Sequence, residues 1–273
     1  MTLAAIVGVN KAVIGMVHLR ALPGSPRWAG SMQAVVQAAL EDARALADGG
    51  VDALLVENYG DVPFTTGRVD SATVAGMAVV IGEIKRAVTL PVGVNVLKSD
   101  ALSALAVAAA AGGRFVRVNV HVGAVVADQG ILQSCAHDSL RYRRLLGLDI
   151  SILADVQAKH GMPLAPIPLE QEARDCVSRG LADGLVVSGA ADGLVVSGAA
   201  TGEPTPMNDP KRVRGAAPHV PLLVGSGATP ETAAALLSIA DGFIVGTAVK
   251  RDGILGNPVD PGRVKRLVEA ARG

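Results

Sequence analysis

The chain has 273 residues, half of them hydrophobic, yet it carries only 3 Phe, 2 Tyr and 1 Trp. Its 25 Lys and Arg balance 25 Asp and Glu, and a neutral, ring-poor chain is not expected to be a nucleic-acid platform. Two Cys, at 135 and 176, cannot frame a disulfide scaffold and make a reducing cytoplasm the default; no apolar run reaches the ~20 residues of a membrane span, and the N-terminus lacks the basic region of a secretory signal.

Short Val-, Ile- and Leu-rich runs alternate with longer helical patterns from end to end. The first expected strand, Ala12–His18, ends in His18 and precedes a helix over Met32–Ala47. The second, Asp52–Glu57, ends in Glu57 and Asn58, and a helix over Ser71–Ala87 follows. The third, Val92–Leu97, carries Asn95 inward and Lys98 at its rim, before a helix over Asp100–Ala111. The fourth, Phe115–Val120, puts Asn119 and His121 on one parity, with Arg117 deeper and structural, before a helix over Ser134–Leu146. The fifth, Ile150–Val156, puts Asp155 and Gln157 on one parity, with Lys159 and His160 just beyond. Gly161–Pro168 holds three Pro and reads as loop, and Leu169–Ser178 as helix.

The sixth strand is ambiguous, because ADGLVVSGA occurs twice in tandem, at Ala182–Ala190 and Ala191–Ala199. The seventh and eighth strands are Leu222–Gly225 and Gly242–Gly246, among helices at Asp209–Ala216, Pro230–Ile239 and Pro261–Ala271. Ser71 and Asp100 are candidate N-caps, and Thr229-Pro230 and Asp260-Pro261 place a cap before Pro at the first helical position. Eight strands alternating with eight helices give an α/β protein, a (β/α)8 TIM barrel, as one domain over 1–273. An open doubly wound sheet is the runner-up, but no G-x-G-x-x-G follows the first strand.

In such a barrel the chemistry collects at the carboxyl ends of the strands. Glu57 and Asp155 each end an apolar strand, where a carboxylate is costly unless it has partners or a task. They are the candidate general acid and base, with Asn95 and Asn119 orienting a substrate and Lys159 or His160 stabilising negative charge. Asn95, Asn119 and His18 read equally as satisfied polar groups of a core, and Lys98, Lys159 and His160 as solvated rim residues. His18, Glu57, Asp155 and His160 show no close metal-ligand spacing, so no metal is assigned and the cofactor is left unknown. Gly225, Ser226 and Gly227, with Gly246 and Thr247, end the last two strands and can bring bare N–H groups to a phosphate. The alternative is that these glycines only make tight turns. Lys250 reads as exposed. The expected ligand is a small anionic or phosphorylated molecule, and homo-oligomerisation is the base-rate expectation.

The runs IGMVHLRALPGSPRW, VDALLVENYGDVPF, LPVGVNVLKSDALSALAVAAAAG, RVNVHVGAVVADQGIL, ILADVQAKH, VSGAATGEPT, VGSGATPE and ADGFIVGTAVKRDG resemble the BtpA family from about Lys11 to Ala271. The resemblance implies a single TIM barrel similar to phosphate-binding barrels, without a settled reaction. Some members are tied to photosystem I assembly or stability; others are described as nucleosidases or sugar-metabolism proteins. The family's strand-end pattern matches His18, Glu57, Asn58, Asn95, Asn119, Asp155, Lys159 and His160, with His18, Asn58 and Lys98 as substrate-binding candidates. Gln157 stands where relatives are expected to have His. Relatives are also expected to carry ADGLVVSGA once. Copy two runs directly into Ala200-Thr201-Gly202-Glu203-Pro204, so it is the expected sixth strand, with Ser197, Gly198 and Thr201 at the substrate site. Copy one would then lengthen a loop at the barrel's bottom. The expected function is an enzyme of nucleosidase, lyase or isomerase type acting on a small phosphorylated or sugar-like metabolite. The alternative is a non-catalytic assembly factor.

Overall fold

A computed structural model describes residues 1–188 and 208–273. The chain runs α1 (Leu3–Val7), β1 (Ala12–His18), α2 (Met32–Asp48), β2 (Ala53–Glu57), α3 (Ser71–Ala87), β3 (Val92–Asn95), α4 (Ala101–Ala111) and β4 (Phe115–Val118). It continues through β5 (Ala124–Ala127), β6 (Gly130–Gln133), α5 (Ala136–Leu146), β7 (Ser151–Val156), β8 (Gly161–Pro163), α6 (Leu169–Ser178) and β9 (Gly184–Val187). The last elements are α7 (Asn208–Ala216), β10 (Leu222–Val224), α8 (Pro230–Ile239), β11 (Gly242–Val245) and α9 (Pro261–Arg272).

Among the described residues, eight strands close a parallel barrel in the order β1-β2-β3-β4-β7-β9-β10-β11, and β11 pairs back onto β1. The alternation of strands and helices makes this the TIM barrel read from the sequence. Helix starts follow from local chemistry. Asp100 caps α4 by accepting from the Ser103 N–H (3.0 Å), and Asp260 caps α9 through Arg263 N–H (3.1 Å). Ser71 is the first residue of α3 rather than its cap, which is Asp70.

Side chains alternate between two cores, as the two-residue period of a strand requires. One parity packs outward against the helices. The other fills the barrel with Ile14, Leu55, Phe115, Leu153, Val186, Leu223 and Ile244. Helix α1, not expected from the sequence, adds Leu3, Ile6 and Val7 to this inner cluster and closes the barrel's lower end. Thr2 caps it by accepting from Ala5 N–H (3.3 Å), and Gly8 ends it at φ +91°. Gly93 leaves room inside for Phe115: a Cβ there would lie 2.1 Å from the ring. Gly93→Ala is therefore expected to destabilise the fold by about 1–3 kcal/mol, read as a lower denaturant midpoint with unchanged m-value.

Two expectations are corrected. The sixth barrel strand, β9, is built from copy one of the repeat: Val186 points into the barrel beside Leu153 and Leu223. Copy one reaches the sheet from α6 through residues 179–183, whereas copy two would need 179–192, and the shorter closure is favoured. Asp183, just before β9, also accepts from Ile152 N–H (2.8 Å) and pairs with Arg143. Copy one is thus a barrel strand, not a loop at the bottom, and copy two lies outside the described residues. Ser197, Gly198 and Thr201 lie outside the described residues. The second correction concerns Gly161–Pro168, whose first residues form β8. This strand completes a three-stranded antiparallel sheet, β6-β5-β8, over Val120 and Ala158.

Candidate active site

The inward parity that is apolar in the barrel turns polar at the top. Ile14 and Met16 are followed by His18, Leu55 by Glu57, Gly93 by Asn95, Phe115 by Arg117, Leu153 by Asp155 and Val186 by Ser188. The register sets His18 beside Glu57, Glu57 beside Asn95, and Asn95 beside Arg117. Above them opens a cavity of ≈ 740 Å³.

Asp155 is the best-partnered side chain of this mouth. Arg117 Nε donates to its Oδ1 (2.8 Å), and Arg117 Nη2 and Asn119 Nδ2 donate to its Oδ2 (3.0 and 2.9 Å). Arg117 Nη2 also reaches Ser188 Oγ (3.2 Å), and Asn95 donates to Asn119 Oδ1 (3.2 Å) from below, outside the cavity lining. A carboxylate already committed to three donors is an anchor, and this geometry makes Asp155 hold Arg117 and Asn119 in place.

Glu57 is its opposite. It is buried and lines the cavity, and among the described residues nothing donates to its carboxylate. Burial lifts its pKa from 4.5 to about 7; Asp155 adds to the rise, and Arg117 and Lys98 restrain it. A carboxyl group poised near neutrality suits proton transfer. His18 stays neutral: burial, then Lys250 and Arg117, push it down to about 3. Its ring meets Tyr59 edge-on, with centroids 5.3 Å apart. Lys98 is buried in the cavity wall and donates to the main-chain carbonyl of Lys159 (3.1 Å). Lys159 donates to Ser226 Oγ (2.8 Å), and His160 lines the same wall, lowered by burial and by Lys98 and Lys159.

Besides Asn95, two further positions lie outside the cavity lining. Asn58 is buried outside the cavity lining, accepting from Leu97 N–H (2.7 Å) and donating to Asp61 (3.1 Å), so it ties two loops together. Gln157 has φ +52°, which breaks the strand's alternation, and its side-chain amide turns to Ile167 O (3.3 Å). The difference expected from relatives at this position falls outside the cavity lining.

Gly225, Ser226, Gly227, Gly246 and Thr247 all line the mouth. Two of the glycines also make room: a Cβ on Gly225 would meet Ser188 Oγ at 2.3 Å, and one on Gly246 would meet His18 Cε1 at 2.8 Å. Gly227 sits at φ +74°, where a side chain is strained. The N–H groups of Gly227, Ala228, Thr247 and Ala248, all residues of the lining, donate to no described residue. Arg263 from α9 orients the second of these turns by donating to Ala248 O (2.9 Å).

Lys250 is buried rather than exposed. It pairs with Asp42 of α2 (2.5 Å), which also accepts from Val259 N–H (2.7 Å), and this pins the chain just beyond Thr247. Sequence reasoning also missed Arg263 on α9, Ser188 at the end of copy one, and the aromatic wall of Tyr59 and Phe64, which loop geometry brings to the mouth. Both cysteines are unpaired, and burial pushes Cys135 up to about 12 and Cys176 upward as well, so neither is an activated thiolate. Among the described residues no group of three or more His, Cys, Asp or Glu is placed to hold a metal, and no helix is long and apolar enough to cross a membrane.

A sequence profile of the BtpA family matches residues 9–273. The photosystem I biogenesis protein BtpA of Synechocystis sp. is 43% identical over 96% of this chain and 88% of its own. The sgc region protein SgcQ of Escherichia coli is 34% identical over 98% of this chain and 96% of its own. Among solved structures, thiamine phosphate pyrophosphorylase from Pyrococcus furiosus superposes with a TM-score of 0.57 at 13% identity, covering 96% of this chain and 95% of that one. That likeness is one of fold.

Proposed function

The chain belongs to the BtpA family, and on that premise we propose that it is an enzyme acting on a small phosphorylated, sugar-like metabolite. The observation carrying this reading is the set of four undonated N–H groups on two adjacent strand ends that line one cavity. Such groups stabilise a phosphate without needing a full positive charge at the contact. Glu57 moves a proton at the reacting end. Asp155, Asn119 and Asn95 hold Arg117 in place, and Lys98 and Lys159 make the opening attractive to an anion. His18 and His160 line the mouth as neutral rings.

Inorganic phosphate and a panel of phosphorylated sugars test this directly. A ligand that binds the folded chain raises its melting temperature in proportion to the logarithm of concentration. Gly227→Val is expected to remove the shift, measured against the variant's own ligand-free melting temperature, which the strained φ of +74° lowers by several degrees. No shift with any member of the panel would sink the reading. It would favour a non-catalytic assembly factor, a role supported by the similarity to the Synechocystis protein. That second reading gives no reason to keep Glu57 buried without a donor.

A further inference from the structure

The mouth holds a second recognition point beside the glycine-rich strand ends, where a Cβ on Gly225 would lie 3.4 Å from Arg117 Nη2. Arg117 has five N–H donors. Nε and both hydrogens of Nη2 serve Asp155 and Ser188. Nη1 donates to no described residue, although the guanidinium side chain is only 11% exposed and lines the cavity. A guanidinium so enclosed, gripped on one edge and vacant on the other, is shaped to meet an oxygen carrying negative charge. Lys98 stands in the same wall with two of its directions set by the carbonyls of Lys159 (3.1 Å) and His160 (3.5 Å), which leaves a third N–H. Arg117, Asp155 and Lys98 are the charged groups that bear on Glu57, so cations and carboxyl group share one locus.

Resting on the phosphate reading, we infer that the substrate is a phosphorylated hydroxy-carbonyl compound. Its carbonyl oxygen lies against Arg117 Nη1 and Lys98, with the neighbouring C–H bond at Glu57. The step balances within these groups. A Glu57 carboxylate oxygen takes the proton from carbon, the C–H electron pair becomes a carbon–carbon double bond, and the carbonyl π pair moves onto oxygen. Arg117 and Lys98 stabilise that oxyanion, which bears more charge than the ground-state carbonyl, so their effect is larger on the intermediate than on the substrate. Delivery of that proton from the Glu57 carboxyl group to the former carbonyl carbon, while the hydroxyl proton passes to the neighbouring oxyanion, gives the isomeric carbonyl compound and consumes no oxidant or co-reactant. Asp155 keeps Arg117 aimed by occupying its other edge, and is a positioning residue.

Isothermal titration of the full chain separates the two claims. Phosphoglycolohydroxamate carries a phosphate and a planar, charged mimic of the enediolate; glycerol 3-phosphate carries the same phosphate on tetrahedral alcohol carbons. The hydroxamate is expected to bind more tightly, on the order of tenfold to a hundredfold, as hydrogen bonds to charged groups require. Lys98→Met is expected to remove most of that preference, weakening the hydroxamate by about tenfold or more and glycerol 3-phosphate by much less. Arg117→Lys, which keeps a cation for Asp155 but removes Nη1, is expected to do the same if it folds; Lys98→Met decides the matter if it does not. Equal affinities in the unaltered protein overturn the inference while the phosphate reading stands. Failure of both compounds to bind overturns both.

Discussion

Glu57→Gln is expected to lower turnover by about 10²–10⁴-fold and, in the same molecule, to raise stability in mildly alkaline solution. Both effects have one origin. The folded state raises the carboxyl pKa from 4.5 to about 7, chiefly by burial. Between those two values the folded chain holds a proton that the unfolded chain has released, so stability declines as pH rises through the window. Below it Glu57 is neutral in both states and costs nothing; above it the full penalty of a buried carboxylate is present, on the order of 3 kcal/mol. The amide variant has no proton to lose. Its denaturant midpoint should match the unaltered protein near pH 4 and exceed it near pH 8, and identical pH profiles would show that Glu57 is not buried as described. The coincidence of lost activity with gained stability separates a functional carboxylate from one that holds the fold together.

Asp155→Ala is expected to do the reverse, costing about 3–5 kcal/mol of folding stability because it leaves the Arg117 guanidinium buried without its counter-charge. The carboxylate is 1% exposed and its partner 11%, so water cannot take its place without opening the mouth. Asn119 loses its acceptor at the same time. Pairing Asp155→Leu with Arg117→Met should recover most of the loss, since two apolar groups of similar volume need no counter-charge. Equilibrium urea denaturation reads both. A single variant as stable as the parent would mean that the Arg117–Asp155 contact is not the buried pair seen here.

Much of this site could be read from the sequence because the barrel obeys a two-residue period up to its rim. His18, Glu57 and Asp155 are polar residues ending apolar runs, and each lines the mouth. The reading failed where the strand stopped. Asn58 follows the last residue of β2 and drops out of the lining, and positive φ at Gln157 turns its amide away. Long-range partners were also invisible: Lys250 sits after a strand end like a rim residue, but Asp42, 208 positions earlier in the sequence, buries it. Arg117 reads from the sequence as structural, and it is so on one edge only. The repeat is the purest case of local ambiguity. Two identical nonapeptides have identical propensities, so the choice between them rests on chain length from α6 and on contacts at Asp183.

The apolar plug of α1 has a kinetic consequence. With Leu3, Ile6 and Val7 packed beneath Ile14 and Leu153, the barrel is a well with a floor, and no ligand passes through it. On the proposed reading, substrate and product would share one doorway and the same anion cradle. Product must therefore depart before the next substrate enters, and it competes directly with substrate for the empty protein. Inhibition by added product should be competitive, with a strength set by how much of the phosphate contact survives the reaction.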